Sequence, residues 1–164
     1  MTFYMTGLEC PSCVYNVTSS VADVKGISEF KIDSILDGYA IATFDKQKVS
    51  AHQVAQAVRD AYPLHGNPYT AALKVLVPDY AKDGNAAKVD AVFTAQKDFI
   101  KVLPVDKTKG EFLILFQPLK VDEAKKMPQG WDLEKFCDAI QAPAPKGLGL
   151  AFEIMKEGQE PPKP

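Results

Sequence analysis

Cys10 and Cys13 stand three positions apart in the segment Gly7-Leu8-Glu9-Cys10-Pro11-Ser12-Cys13. Upstream, Phe3-Tyr4-Met5 reads as an apolar strand, and downstream Val14, Val17, Val21 and Val24 recur at helical spacing. The two thiols therefore sit where a strand turns into a helix. Ser12 is the expected N-cap, with Cys13 in the first helical turn and Cys10 in the loop beside it. Unpaired amides and the positive end of the helix dipole favour a thiolate at that point, and the thiolate is the form that ligates metals or attacks disulfides. Two chemistries follow from the spacing: capture of a soft metal ion between two sulfurs, or thiol–disulfide exchange.

The elements that must position the pair alternate along residues 1–68 in the order strand, helix, strand, strand, helix, strand. Lys25-Gly26-Ile27 supplies a glycine stop after the first helix, and Phe30 and Ile32 alternate with Glu29, Lys31 and Asp33 as in a half-buried strand. Asp37-Gly38 is a hairpin signal, and residues 39–44 form the returning strand. Ser50 caps a second helix with Val54, Ala57, Val58 and Ala61 on one face, and Pro63 stops it. The same order recurs from Leu73. Residues 73–77 read as a strand, and Val89, Val92, Phe93, Gln96 and Ile100 as one helix face. Residues 101–106 and 111–116 read as a strand pair, Leu133, Phe136, Cys137 and Ile140 as another helix face, and Leu148, Leu150, Phe152 and Ile154 as the last strand. The expectation is an α+β protein of two tandem ferredoxin-like βαββαβ units, each a four-stranded antiparallel sheet with two helices on one face. The expected boundaries are 1–68 for the cysteine-bearing unit, 69–157 for a second unit without a cysteine pair, and 158–164 for a disordered tail.

Composition narrows the function classes. The chain has 164 residues, 46% hydrophobic and 24% charged, with a formal net charge of -2, which fits a folded globular protein. Its charges are mixed without a basic stripe, which argues against a nucleic-acid partner. No apolar run approaches the roughly 20 residues that span a bilayer. The N-terminus lacks the basic-then-apolar order of a signal peptide, so the expected compartment is cytoplasmic if the chain is complete and periplasmic if a leader was removed. Three cysteines with only one close pair do not make a disulfide framework.

Several spaced segments in the right order resemble the heavy-metal-associated domain of copper chaperones, of the N-terminal modules of copper-transporting ATPases, and of the bacterial periplasmic mercury-binding protein. They are Gly7-Leu8-Glu9-Cys10-Pro11-Ser12-Cys13, Lys25-Gly26-Ile27, Thr43-Phe44-Asp45, and residues 54–58 followed by Asp60-Ala61-Tyr62. The resemblance covers about residues 3–66, and the second unit shares the pattern only. It implies that Cys10 and Cys13 are metal ligands and that Tyr62 is the loop aromatic packed near them. Leu8 replaces the family's methionine, a volume-conserving apolar exchange. Pro11 stands between the cysteines, and the glycine before the family's tyrosine is absent. The implied protein is not an enzyme: it binds a thiophilic ion, Cu(I) first with Hg(II) or Zn(II) as alternatives, and passes it by thiolate exchange to a metal-transport or metal-receiving protein. The alternative is a thiol–disulfide oxidoreductase using the same Cys-Pro-Ser-Cys pair.

Two thiolates suit Cu(I), which accepts low coordination, whereas structural zinc takes four ligands that this chain does not offer nearby. His65 lies close enough after Tyr62 to complete a three-coordinate site, or else is a solvated loop histidine. Cys137 reads as a small core hydrophobe, and His52 as a solvated residue near a helix start. Met127, Pro128 and Trp131 belong to a long stretch, 117–131, that is either a partner-binding loop or a cover over the core. The second unit has Val77-Pro78-Asp79-Tyr80 at the turn corresponding to the cysteines, so no soft site is expected there. Residues 1–68 hold five basic against seven acidic side chains and the remainder fourteen of each, which suits a partner with a basic face for the first unit.

Overall fold

The structure is a computed structural model that describes residues 1–120 and 127–156. The expected disordered tail, 158–164, lies outside the described residues. Among the described residues the chain forms seven strands and four α-helices. Two compact units divide it: Met1–Ala72 with Pro118–Trp131, and Leu73–Gln117 with the residues from Asp132 onward.

The first unit runs β1 (Thr2–Thr6), α1 (Pro11–Ala22), β2 (Ile27–Lys31), β3 (Tyr39–Phe44), α2 (Ala51–Asp60) and the start of β4 (Thr70–Leu76). A 3-10 turn at Ile35–Asp37, closed by Gly38 at φ 67°, links β2 to β3. Strand β1 is central and antiparallel to both neighbours, with Phe3 opposite Ala40 on β3 and Met5 opposite Ala71 on β4. This is the ferredoxin-like βαββαβ order. Phe3, Val17, Val21, Ala40, Val54 and Val58 are fully buried, because strand period two and helix period near four bring them to one side of their elements.

The segment between α2 and residue 70 contains Pro63 and Pro68, which lack the amide that a ladder requires. The fourth strand therefore starts after Pro68, past the expected boundary at residue 68. Its residues 70–72 pair with β1. Residues 75 and 76 continue the same strand and pair with β7.

Helix α2 is buried at every position from residue 51 to residue 58, including His52, Gln53 and Gln56. An amphipathic helix on a sheet would leave such polar residues in water. Here the described residues of Pro118–Trp131 receive them. The Leu119 amide donates to Gln56 Oε1 at 2.7 Å, Gln53 Nε2 donates to the Met127 carbonyl at 3.2 Å, and Ser50 Oγ donates to the Gln129 carbonyl at 2.5 Å. The Trp131 amide donates to His52 Nδ1 at 3.0 Å. The buried polar side chains of α2 thus find hydrogen-bond partners, as burial demands. The expectation of a solvated His52 is corrected: it is 1% exposed, and the amide that donates to its Nδ1 lies 79 residues away in sequence. Trp131 is likewise 1% exposed, so this part of the 117–131 stretch is a cover over α2.

The second unit contains the end of β4, α3 (Asn85–Ala95), β5 (Ile100–Asp106), β6 (Glu111–Phe116), α4 (Leu133–Gln141) and β7 (Glu153–Ile154). An aromatic chain organises its core: Tyr80 meets Phe112 edge-on at 4.8 Å, Phe112 meets Phe93 at 5.0 Å, and Phe93 stacks on Phe136 at 5.8 Å. Two expectations change. Ile100 opens β5 rather than extending the α3 face, and the last strand is short because the amides of Leu148 and Leu150 donate to the Ala139 and Ile140 carbonyls at the end of α4. Cys137 is half-buried on α4 between the buried Phe136 and Ile140. Gly110 enters β6 at φ 75°, its carbonyl accepts from the Val77 amide, and a Cβ there would overlap the Val77 carbonyl oxygen.

Two outcomes are expected. A fragment of residues 1–68 lacks β4, one of the two strands that pair with β1, and the cover on α2, so it shows no cooperative urea transition; a sigmoidal native-like transition would contradict this. Gly110→Ala lowers stability by about 3 kcal/mol, whereas Gly38→Ala, at positive φ with nothing within 4 Å of its Cβ, costs only about 1 kcal/mol.

Candidate metal centre

The site begins with a backbone approach. Gly7, at φ 87° immediately after β1, brings its Cα so near the α2–β4 loop that a Cβ would stand 2.8 Å from the Pro68 carbonyl oxygen. Only glycine takes both the left-handed backbone and the missing side chain without strain. Flanking contacts hold the two loops together. The Thr6 and Thr70 hydroxyls are 2.6 Å apart, and Asn67 Nδ2 donates to Glu9 Oε1 at 3.0 Å.

Cys10 then caps α1. Its backbone is extended at φ -153°, its Sγ accepts from the Cys13 amide at 3.3 Å, and Pro11 takes the first helical position, where no amide partner is needed. The N-cap is therefore Cys10 and not Ser12. Sulfur is a weak acceptor, but Pro11 and the turn geometry place it where a serine oxygen would stand, so one residue serves as both cap and thiol.

Three ligand-type atoms converge on this turn. Cys10 Sγ lies 3.0 Å from Cys13 Sγ and 3.3 Å from His65 Nε2, and the three lie within 4.8 Å of one another. Cys13 is fully buried, Cys10 half-buried and His65 exposed. Among the described residues this is the one cluster of three or more such side chains able to hold a metal ion. Cys137 stands outside it.

Burial raises the Cys13 pKa, but hydrogen bonds from the Cys10 thiol, the Tyr69 hydroxyl and the amide backbone outweigh it, and the net effect lowers the thiol from 9.0 to about 6. Tyr69 is 1% exposed. Its hydroxyl accepts from the Leu64 amide at 3.2 Å and donates to Cys13, while burial and that donation push its own pKa up. Tyr62, by contrast, is 75% exposed, and its carbonyl accepts from Asn16 Nδ2 at 2.7 Å. The aromatic that meets the thiols is Tyr69, which the sequence reading did not single out. Its signal is the Pro68-Tyr69 step just before β4, which Gly7 packs against.

A small α+β unit carrying a buried thiolate, a second thiol and an imidazole at its strand-to-helix turn has a ligand set for a thiophilic metal ion. By sequence, the chain belongs to the same family as an uncharacterized protein of Haemophilus influenzae, 30% identical over 61 residues that span 37% of this chain and 87% of that protein. No family model matches the chain. Among solved structures, the water-soluble region of the P-type ATPase CopA from Bacillus subtilis aligns over 94% of this chain and 89% of that one. Its TM-score of 0.40 and 9% identity are too low to carry a functional argument. No helix among the described residues is long and apolar enough to cross a membrane.

The lowered Cys13 pKa has a linked effect on stability. A thiol that ionises more easily in the folded protein contributes stability that is fully present above pH 9.0 and lost as pH falls through about 6. Ultraviolet thiolate absorbance of the reduced, metal-free protein is expected to show one titration near pH 6, and the urea midpoint to rise with pH above it. Tyr69→Phe should move that titration upward. No thiolate signal below pH 8 would contradict the assignment.

Proposed function

We propose that this protein is a non-enzymatic carrier that binds one thiophilic metal ion through Cys10 and Cys13 and passes it to a metal-transport or metal-receiving protein by thiolate exchange. The observation that carries this reading is the convergence of both sulfurs and the His65 imidazole on one strand-to-helix turn. Soft donors in low number favour Cu(I) over Zn(II), which prefers four ligands; Hg(II) shares the preference for sulfur. The difference in burial supports transfer: Cys13 is enclosed and retains the ion, while half-buried Cys10 is open to an incoming thiol.

The second unit carries no cysteine at its corresponding turn, Val77-Pro78-Asp79-Tyr80. We assign it the role of scaffold or docking surface rather than of a second soft-metal site, since a repeated fold does not bring the chemistry with it. The same sulfurs 3.0 Å apart could serve disulfide exchange, and activity separates the two readings because a carrier needs only the reduced pair.

Titration of the reduced protein with Cu(I), Hg(II) and Zn(II) in competition is expected to load one Cu(I) or Hg(II) per chain and to bind Zn(II) weakly. The Cys10→Ser, Cys13→Ser double variant should lose the site. Equal binding by that variant would refute the carrier. Rapid disulfide-reductase turnover dependent on Cys10 would favour the oxidoreductase; we expect negligible turnover.

A further inference from the structure

Resting on the carrier reading above, we infer that His65 is a third and first-leaving ligand: the ion rests on Cys13, Cys10 and His65, and transfer starts when an incoming thiolate takes the place of the imidazole. His65 Nε2 is already 3.3 Å from Cys10 Sγ. Three donors arranged about one ion at about 2.3 Å stand about 4 Å apart, so the ligand atoms, within 4.8 Å of one another, need only small shifts to close on it.

His65 is held in place by the loop that carries it. Asn16 Nδ2 ties the Tyr62 carbonyl at 2.7 Å, the Leu64 amide donates to the buried Tyr69 hydroxyl at 3.2 Å, and Asn67 donates to Glu9 at 3.0 Å. These anchors lie on both sides of residue 65 in sequence, and two of them return to the β1–α1 turn or to α1 itself. A histidine in a merely solvated loop has no such frame. The imidazole is also the right ligand to leave first, because it is exposed and is a harder donor than thiolate toward a soft ion.

The exchange balances without a redox change. The metal–Nε2 bond breaks and a metal–sulfur bond to the incoming group forms. The incoming thiol gives its proton to buffer, and the ion keeps its oxidation state. Cys10 is replaced next and enclosed Cys13 last, so the acceptor must offer at least a pair of thiols.

X-ray absorption of the Cu(I)-loaded full chain tests this. The expected spectrum contains two sulfurs and one nitrogen. His65→Ala should show sulfur only and lose affinity against a chromogenic Cu(I) chelator by about tenfold to a hundredfold. Imidazole added to His65→Ala should restore both the nitrogen and the affinity, a rescue that a purely structural role for His65 would not show. A sulfur-only spectrum of the unaltered protein, or unchanged affinity of His65→Ala, would overturn the inference and leave the carrier reading intact. Failure of the unaltered protein to load either Cu(I) or Hg(II), or equal loading of the Cys10→Ser, Cys13→Ser variant, would overturn both.

Discussion

The candidate site depends on one close approach, the passage of the β1–α1 turn against the backbone of Pro68. Gly7 permits it, and the consequences follow in order. The turn is set down so that Cys10 caps α1, the cap draws Cys13 into the first helical turn, and the neighbouring loop delivers the Tyr69 hydroxyl to Cys13 and the His65 imidazole to Cys10. A larger residue at position 7 would separate the two loops and so divide the thiols from both partners. The backbone freedom of glycine at this position is thus coupled directly to the chemistry of the sulfurs.

The fold that supports this approach is completed from far along the chain. Residues 70–72 supply the strand beside β1, and the described residues of Pro118–Trp131 supply the cover on α2. The cover accounts for three buried polar side chains on α2, His52, Gln53 and Gln56, each of which finds a backbone partner there. Removing such a cover would take these backbone partners away and expose the apolar residues between them, so the candidate metal turn relies on chain remote from its ligands. The order of burial, from enclosed Cys13 through half-buried Cys10 to exposed His65, gives the site a closed end and an open end.

Much of this was legible in the sequence. The strand-to-helix position of Cys10 and Cys13 followed from the change of hydrophobic period, and the ferredoxin-like order followed from alternating elements and the turn signals between them. The misses share a physical cause, namely partners distant in sequence or backbone geometry that residue type does not encode. His52 reads as solvated because its partner, Trp131, is 79 residues away. Tyr69 falls just past the expected boundary at residue 68, and nothing local marks its hydroxyl as a donor to Cys13. Ser12 has the better capping side chain, and Cys10 displaces it because Pro11 is suited to the first helical position.

The central claim is that a single thiophilic ion is held by the two loops that Gly7 brings together. Amide chemical-shift mapping of the reduced full chain on addition of Cu(I) tests it most directly. The account predicts saturation at one ion, with the largest shifts at residues 7–14 and 64–70 and small ones at residues 77–80, the corresponding turn of the second unit. Shifts centred on residues 77–80 or on Cys137, or a spectrum unchanged by the metal, would contradict it.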